Sequence, residues 1–123
     1  RGDTWRTVEE SLALIDVLTR ESKPGHAVLV DCLTLWLSNL MHAERDPEIE
    51  TRRLTRFLGV ALHPIIFVSN EVGMGLVPET PLGRAFRDAQ GRLNQAVASA
   101  VPNVAFVAAG LPLWLKRDAN QET

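Results

Sequence analysis

The stretch that most limits what this chain can fold into is Pro64-Ile65-Ile66-Phe67-Val68, an unbroken apolar run that stops on Ser69-Asn70-Glu71 and is followed by two glycines, Gly73 and Gly75. β-Branched and aromatic residues without polar alternation predict a strand buried on both faces, as in a parallel sheet covered by helices. Ligands of open α/β sheets bind beyond the carboxyl ends of the strands. Asn70 and Glu71 are predicted to stand there, and the glycines permit close approach of a ligand. An ordinary strand-to-helix loop with its polar residues in water would carry the same pattern. The residues alone leave these two readings open.

His26-Ala27-Val28-Leu29-Val30-Asp31-Cys32 predicts another strand, its apolar run ending in the Asp31 carboxylate at the carboxyl end. Around these two strands the spacing predicts helices. Leu12, Ile15 and Leu18 repeat at helical intervals from about Glu10 to Ser22, with Thr7 and Glu10 suited to a capping box. Trp5 to Glu9 reads as a brief extended segment. Leu33 to Ala43 is apolar almost all round, as a buried helix is, and Glu44 to Pro47 is a loop. Glu48 to Leu62 is amphipathic, with three arginines opposite its apolar face. Thr80 and Pro81 form a cap and first turn for a helix to about Ala100, with Leu82, Phe86, Leu93 and Val97 on one face. Val104 to Gly110 predicts a further strand, Leu113 to Lys116 a short last one, and Arg117 to Thr123 a polar tail. Strands alternating with helices predict a mainly parallel sheet, helices on both faces and right-handed crossovers, with residues 1–123 as a single domain.

Bulk properties exclude several classes. Net charge is −2, which gives no electrostatic case for nucleic acid or an anionic membrane. No apolar run approaches the ~20 residues of a membrane span. Arg1-Gly2-Asp3 does not read as a signal peptide, and Cys32 is the sole cysteine, so a reducing cytoplasm is the expected setting. The chain opens without Met and is expected to be a piece of a longer protein.

Candidate chemistry concentrates in acids and arginines. An acid closing an apolar strand, as Asp31 does, holds Mg²⁺ beside phosphates in P-loop proteins, though many such acids only cap the next turn. Glu9 and Glu71 stand at other element ends; solvated charge is the plain alternative for both, and composition favours it for Glu9. Arg84, Arg87 and Arg92 can meet phosphates, or form a solvated face paired with Asp88. No GxxxxGK[ST] occurs, so no phosphate cradle is assigned. His26, His42 and His63 lack metal-ligand spacing, and Trp36 and Trp114 read as core or interface residues.

Several of these segments together resemble one family. Val30-Asp31-Cys32-Leu33-Thr34, the run from Val68 through Ser69-Asn70-Glu71-Val72-Gly73-Met74-Gly75 to Pro78, and Arg84-Ala85-Phe86-Arg87-Asp88-Ala89-Gln90-Gly91-Arg92-Leu93-Asn94-Gln95 are similar to the bifunctional adenosylcobinamide kinase/adenosylcobinamide-phosphate guanylyltransferase of cobalamin biosynthesis. Trp5-Arg6-Thr7-Val8-Glu9 and Ala109-Gly110-Leu111-Pro112 fit it too.

The resemblance implies a RecA-like P-loop fold of three layers, a mainly parallel sheet and a homotrimer. It implies phosphorylation of the aminopropanol hydroxyl of adenosylcobinamide by ATP or GTP. It further implies transfer of GMP from GTP, through a guanylated histidine, to adenosylcobinamide phosphate. On that pattern Glu9 and Asp31 contact the guanine nucleotide, Asp31 serving Mg²⁺ directly or through water, and Asn70 and Glu71 sit by the phosphates. The family's N-terminal strand, P-loop and helix, and its acceptor histidine, would precede Arg1; none of the three histidines here aligns with it. These residues by themselves are therefore expected to be inactive. The alternative is a non-catalytic piece that serves only in oligomerisation.

Overall fold

The computed structural model describes residues 4–118; the expected polar tail lies outside them from residue 119 on. Two strands, β1 (Val28–Asp31) and β2 (Ile65–Val68), run parallel, with Val28 beside Ile65 and Asp31 beside Val68. Four helices accompany them: α1 (Leu14–Glu21), α2 (Leu33–His42), α3 (Pro47–Leu58) and α4 (Pro81–Ala100). A short 3₁₀ turn, Val72–Met74, follows β2. The chain then closes with β3 (Val104–Ala108) and β4 (Leu111–Lys116).

The helices begin where short polar or sulfur side chains satisfy the first amide groups, which have no partner within the helix. Thr80 Oγ1 accepts from Gly83 N at 3.0 Å, and Pro81 occupies the first turn of α4 as expected. Asp46 caps α3 by accepting from Glu48 N at 2.9 Å. Cys32 caps α2, its Sγ accepting from Leu35 N at 3.4 Å. Helix α1 starts later than the spacing suggested. No Thr7 capping box forms; Glu10 instead turns its carboxylate onto the amides of Leu12 and Ala13, and the helix opens at Leu14. Helix α3 stops at Leu58 rather than Leu62, before Gly59.

Helix α2 supplies more of the buried core side chains than any other element described. Leu33, Trp36, Leu37 and Leu40 pack with Leu18 of α1, Leu54 of α3, and Ala89, Leu93 and Val97 of α4. Val28, Val30, Ile65 and Phe67 join from the sheet. Alternate residues of a strand point to opposite faces, so these four define one covered face. The other face is open, with Ile66 57% and Val68 41% exposed. Neither the expected burial on both faces nor three layers is found among the described residues, because the helices gather on one side. Leu82 is likewise solvent-facing, at the start of α4 where the helix has not reached the core.

The remaining strands form their own sheet. β3 and β4 pair antiparallel, Ala108 beside Leu111 and Val104 beside Lys116, with a bulge between Val104 and Ala105. The mainly parallel sheet expected across the chain is thus a parallel pair plus a separate hairpin. Ala109 and Gly110, read from the sequence as strand, have φ of 53° and 75°; two left-handed residues in succession make the turn whose twist suits a hairpin. The hairpin is tied to α4 by Lys116 Nζ, which donates to Ala98 O at 2.9 Å and Ser99 O at 3.3 Å. A cation there also complements the negative end of the helix. Trp114 is half-exposed, with the Arg117 guanidinium 4.6 Å above its ring, so it is not a core residue.

Candidate functional site

Parallel pairing decides which polar residues share an edge. Because Asp31 lies beside Val68, the turn Ser69-Asn70-Glu71 begins at the same carboxyl end of the sheet as Asp31. Asp31, Asn70 and Glu71 are all exposed there. A magnesium ion keeps several waters and is bound through one or two carboxylates plus substrate phosphates. A single exposed strand-end carboxylate suits that mode. No cluster of three or more potential protein ligands occurs among the described residues.

The turn is held by side chains from α2 and α4. Asn70 N donates to Thr34 Oγ1 at 2.9 Å, and Asn94 Nδ2 donates to Asn70 O at 3.1 Å. Both backbone groups of Asn70 are therefore engaged while its side chain faces solvent. Ser69 Oγ donates to Asn94 Oδ1 at 2.6 Å, and Gln90 Nε2 donates to Ser69 Oγ at 3.0 Å and Asn94 Oδ1 at 2.9 Å. Gln90 is fully buried, and its Oε1 has no hydrogen-bond partner. Glu71 Oε1 accepts from Gly73 N at 3.1 Å, capping the 3₁₀ turn. The sequence did not point to this cap; its plain reading for Glu71 was solvated charge.

Sequence reasoning missed Thr34, Ser69, Gln90 and Asn94 as the scaffold of this turn. Their signal was faint: polar residues at helical spacing look like a solvated face until a loop packs against them.

Glu9 is exposed in the irregular segment before α1, apart from that edge in the chain's order. The segment is fastened on both sides. Arg6 forms an ion pair with Glu21, which holds the Glu21 carboxyl below the usual carboxylate range and raises the Arg6 guanidinium. Glu10 is also held low, by hydrogen bonds from the Leu12 and Ala13 amides. Trp36 Nε1 donates to Leu12 O at 2.9 Å and Asn39 Nδ2 to Ser11 O at 3.2 Å, so α2 anchors the same segment.

The three histidines stand elsewhere. His26 precedes β1 and His63 precedes β2, at the amino ends of the strands. His42 closes α2, which starts beside Asp31 and runs away from it; ten residues of helix span about 15 Å. Of the arginines, Arg84 Nη1 donates to Pro78 O and Glu79 O at 3.2 and 3.1 Å and is a structural brace. Arg87 and Arg92 line a wide-open surface cleft of about 400 Å³ with Gly73, Asp88, Gly91 and Gln95.

Comparison with known proteins gives a consistent picture. A family model described as cobinamide kinase / cobinamide phosphate guanyltransferase matches residues 1–115. The chain is 46% identical over 114 residues to a bifunctional adenosylcobalamin biosynthesis protein, CobP, of Pseudomonas aeruginosa, covering 91% of this chain and 66% of that protein. It is 33% identical to the Escherichia coli bifunctional adenosylcobalamin biosynthesis protein CobU, over 94% of this chain and 72% of that one. The Salmonella typhimurium protein of the same description is 35% identical, over 91% and 70% respectively. The chain thus spans about two thirds of the length of these relatives.

Proposed function

The chain belongs to the cobinamide kinase / cobinamide phosphate guanyltransferase family, and from that premise we propose that it supplies the nucleotide-facing strand ends of a bifunctional enzyme of cobalamin biosynthesis. In the first reaction the aminopropanol hydroxyl oxygen of adenosylcobinamide attacks the γ-phosphorus of ATP or GTP; the hydroxyl proton is lost and the nucleoside diphosphate leaves. In the second, a histidine nitrogen takes GMP from GTP with release of pyrophosphate. The phosphate oxygen of adenosylcobinamide phosphate then accepts that GMP, freeing the histidine.

The observation that supports this reading is the parallel register, with Asp31 beside Val68 and hence beside the Ser69–Glu71 turn. Asp31 holds Mg²⁺, directly or through water; when bound, that ion neutralises charge on the phosphates. Asn70 and Glu71 border the phosphates, and Glu9 contacts the guanine nucleotide. The acceptor histidine is none of His26, His42 or His63, which lie away from the carboxyl edge. Phosphoryl transfer depends on a phosphate cradle with its Lys, and no such motif occurs in these 123 residues. Alone, they bind nucleotide weakly and turn over neither substrate. The family's P-loop fold and a homotrimer complete the proposal.

One observation favours a second reading, a piece acting only in oligomerisation: the open apolar face at Ile66 and Val68. Titration of the ¹⁵N-labelled chain with Mg²⁺ and GTP separates the two. The enzyme reading expects saturable shifts at Asp31, Asn70 and Glu71, weakened in Asp31→Asn. No shift at that edge sinks it, and covalent GMP on the purified chain overturns the exclusion of the three histidines.

A further inference from the structure

We propose that the cleft between the Val72–Met74 turn and α4 is a subsite for a phosphate monoester, clamped by Arg87 and Arg92; it rests on the functional reading above and assigns the phosphorylated substrate, not the nucleotide, as occupant. Arg87, Gly91 and Gln95 are spaced four apart and form one row along the helix, with Asp88 and Arg92 in the adjoining row. Gly73 of the 3₁₀ turn closes the other side.

Gly91 carries an independent part of the argument. It sits in the middle of a 20-residue helix, where glycine costs roughly 0.5–1 kcal/mol relative to alanine. A Cβ built there meets nothing within 4 Å, so no packing within the described residues calls for a glycine. It lies between Arg87 and Gln95 on the cleft floor, and the missing side chain leaves room for a ligand to reach the helix surface.

Two guanidiniums outnumber the one carboxylate, Asp88, that lines the cleft. Arg87 Nε lies 3.9 Å from Asp88 Oδ1, and Arg92 Nε lies 3.4 Å from Glu48 Oε1. Each carboxylate is met through Nε, on the stem side of the guanidinium. The guanidinium fork has a geometry that matches phosphate oxygens. Of the strand-end acids, Glu71 reaches the rim of this cleft, its Oε1 accepting from Gly73 N at 3.1 Å, whereas Asp31 ends β1. Metal-bound triphosphate at Asp31 and monoester at the guanidiniums is the division proposed.

The test titrates the ¹⁵N-labelled chain with 1-amino-2-propanol O-phosphate, and separately with Mg²⁺ and GTP. Saturable shifts from the monoester are expected at the Gly73, Gly91 and Gln95 amides. Arg87→Gln and Arg92→Gln should each weaken that binding at least about tenfold, as expected for a lost hydrogen bond to a charged group. Gly91→Ala should keep or raise the melting temperature and still weaken binding, which a purely structural glycine would not do. Absence of a saturable monoester shift, shifts confined to other residues, or unchanged affinity in the arginine variants overturns the subsite and leaves the GTP titration standing. Loss of the GTP response alone would sink the functional reading and leave the cleft's result intact.

Discussion

The hydroxyl of Ser69 donates to Asn94 Oδ1 across 2.6 Å, joining the end of β2 to the middle of α4. That bond, with those of Gln90 and Asn70, fixes the turn that follows the strand. Removing Asn94 should therefore cost more than removing one exposed polar residue. Asn94→Ala leaves the Gln90 amide, the Ser69 hydroxyl and the Asn70 carbonyl each short of a partner; a loss of about 1–3 kcal/mol is expected. Thermal unfolding measures it, and an unchanged melting temperature would show the network to be idle.

Gln90 makes a contrasting case. Its buried Oε1 has no partner, a cost already present in the native protein. Gln90→Met removes that orphan along with two donated bonds, while the Ser69–Asn94 bond persists. The expected change is under about 1 kcal/mol, smaller than for Asn94→Ala. Denaturant midpoints of the two variants, compared directly, decide the order.

Acid should loosen the segment before α1 ahead of the core. Glu10 and Glu21 are both held below the ordinary carboxylate value, Glu10 by amide hydrogen bonds and Glu21 chiefly by Arg6. A lowered folded pKa contributes stability above the ordinary value, and that contribution is lost as pH falls through the folded one. Amide signals of Leu12 and Ala13 should shift below about pH 4, while those of Leu37 and Leu40 hold. Arg6→Ala should move the Glu21 titration up to the ordinary range; if wild-type Glu21 already titrates there, the fastening is not present in solution.

Leu40, wholly buried on α2, tests the position of the core. Leu40→Ala should destabilise by about 2–5 kcal/mol through lost burial and a residual cavity. The exposed Leu35 on the same helix should tolerate alanine within about 0.5 kcal/mol. Equal losses at the two sites would contradict the packing described.

The open sheet face should make the chain associate. Ile66 and Val68 are exposed side by side on one face of β2, and a strand with an unpaired edge is prone to pairing with another chain. Sedimentation is expected to show mass rising with concentration, reduced in the Ile66→Thr/Val68→Thr double variant. A wild-type chain that stays monomeric throughout would refute this.

Much of the local structure was legible because its causes are local. The Thr80 cap and Pro81 start of α4, the apolar runs of β1 and β2, and the all-round apolarity of α2 each follow from a few neighbouring residues. The late start of α1 was not legible, since Glu10 could cap as a box partner or fold back on its own amides, and packing of Leu12 and Ser11 against α2 goes with the second. Nor was the Ala109–Gly110 turn: a run of small and apolar residues reads as strand until the partner across the turn is known.

By itself the sequence determined the kinds of element, their order, and the two acids that end apolar strands, because side-chain periodicity and turn chemistry act over a few residues. Its long motif strings also carried the family resemblance. Only the tertiary structure decided that β3 and β4 stand apart from the parallel pair, that one sheet face is open, and that Thr34, Gln90 and Asn94 hold the turn after β2. The hold on that turn and the parallel pairing depend on contacts between residues 21 to 37 positions apart, whose geometry no local pattern encodes.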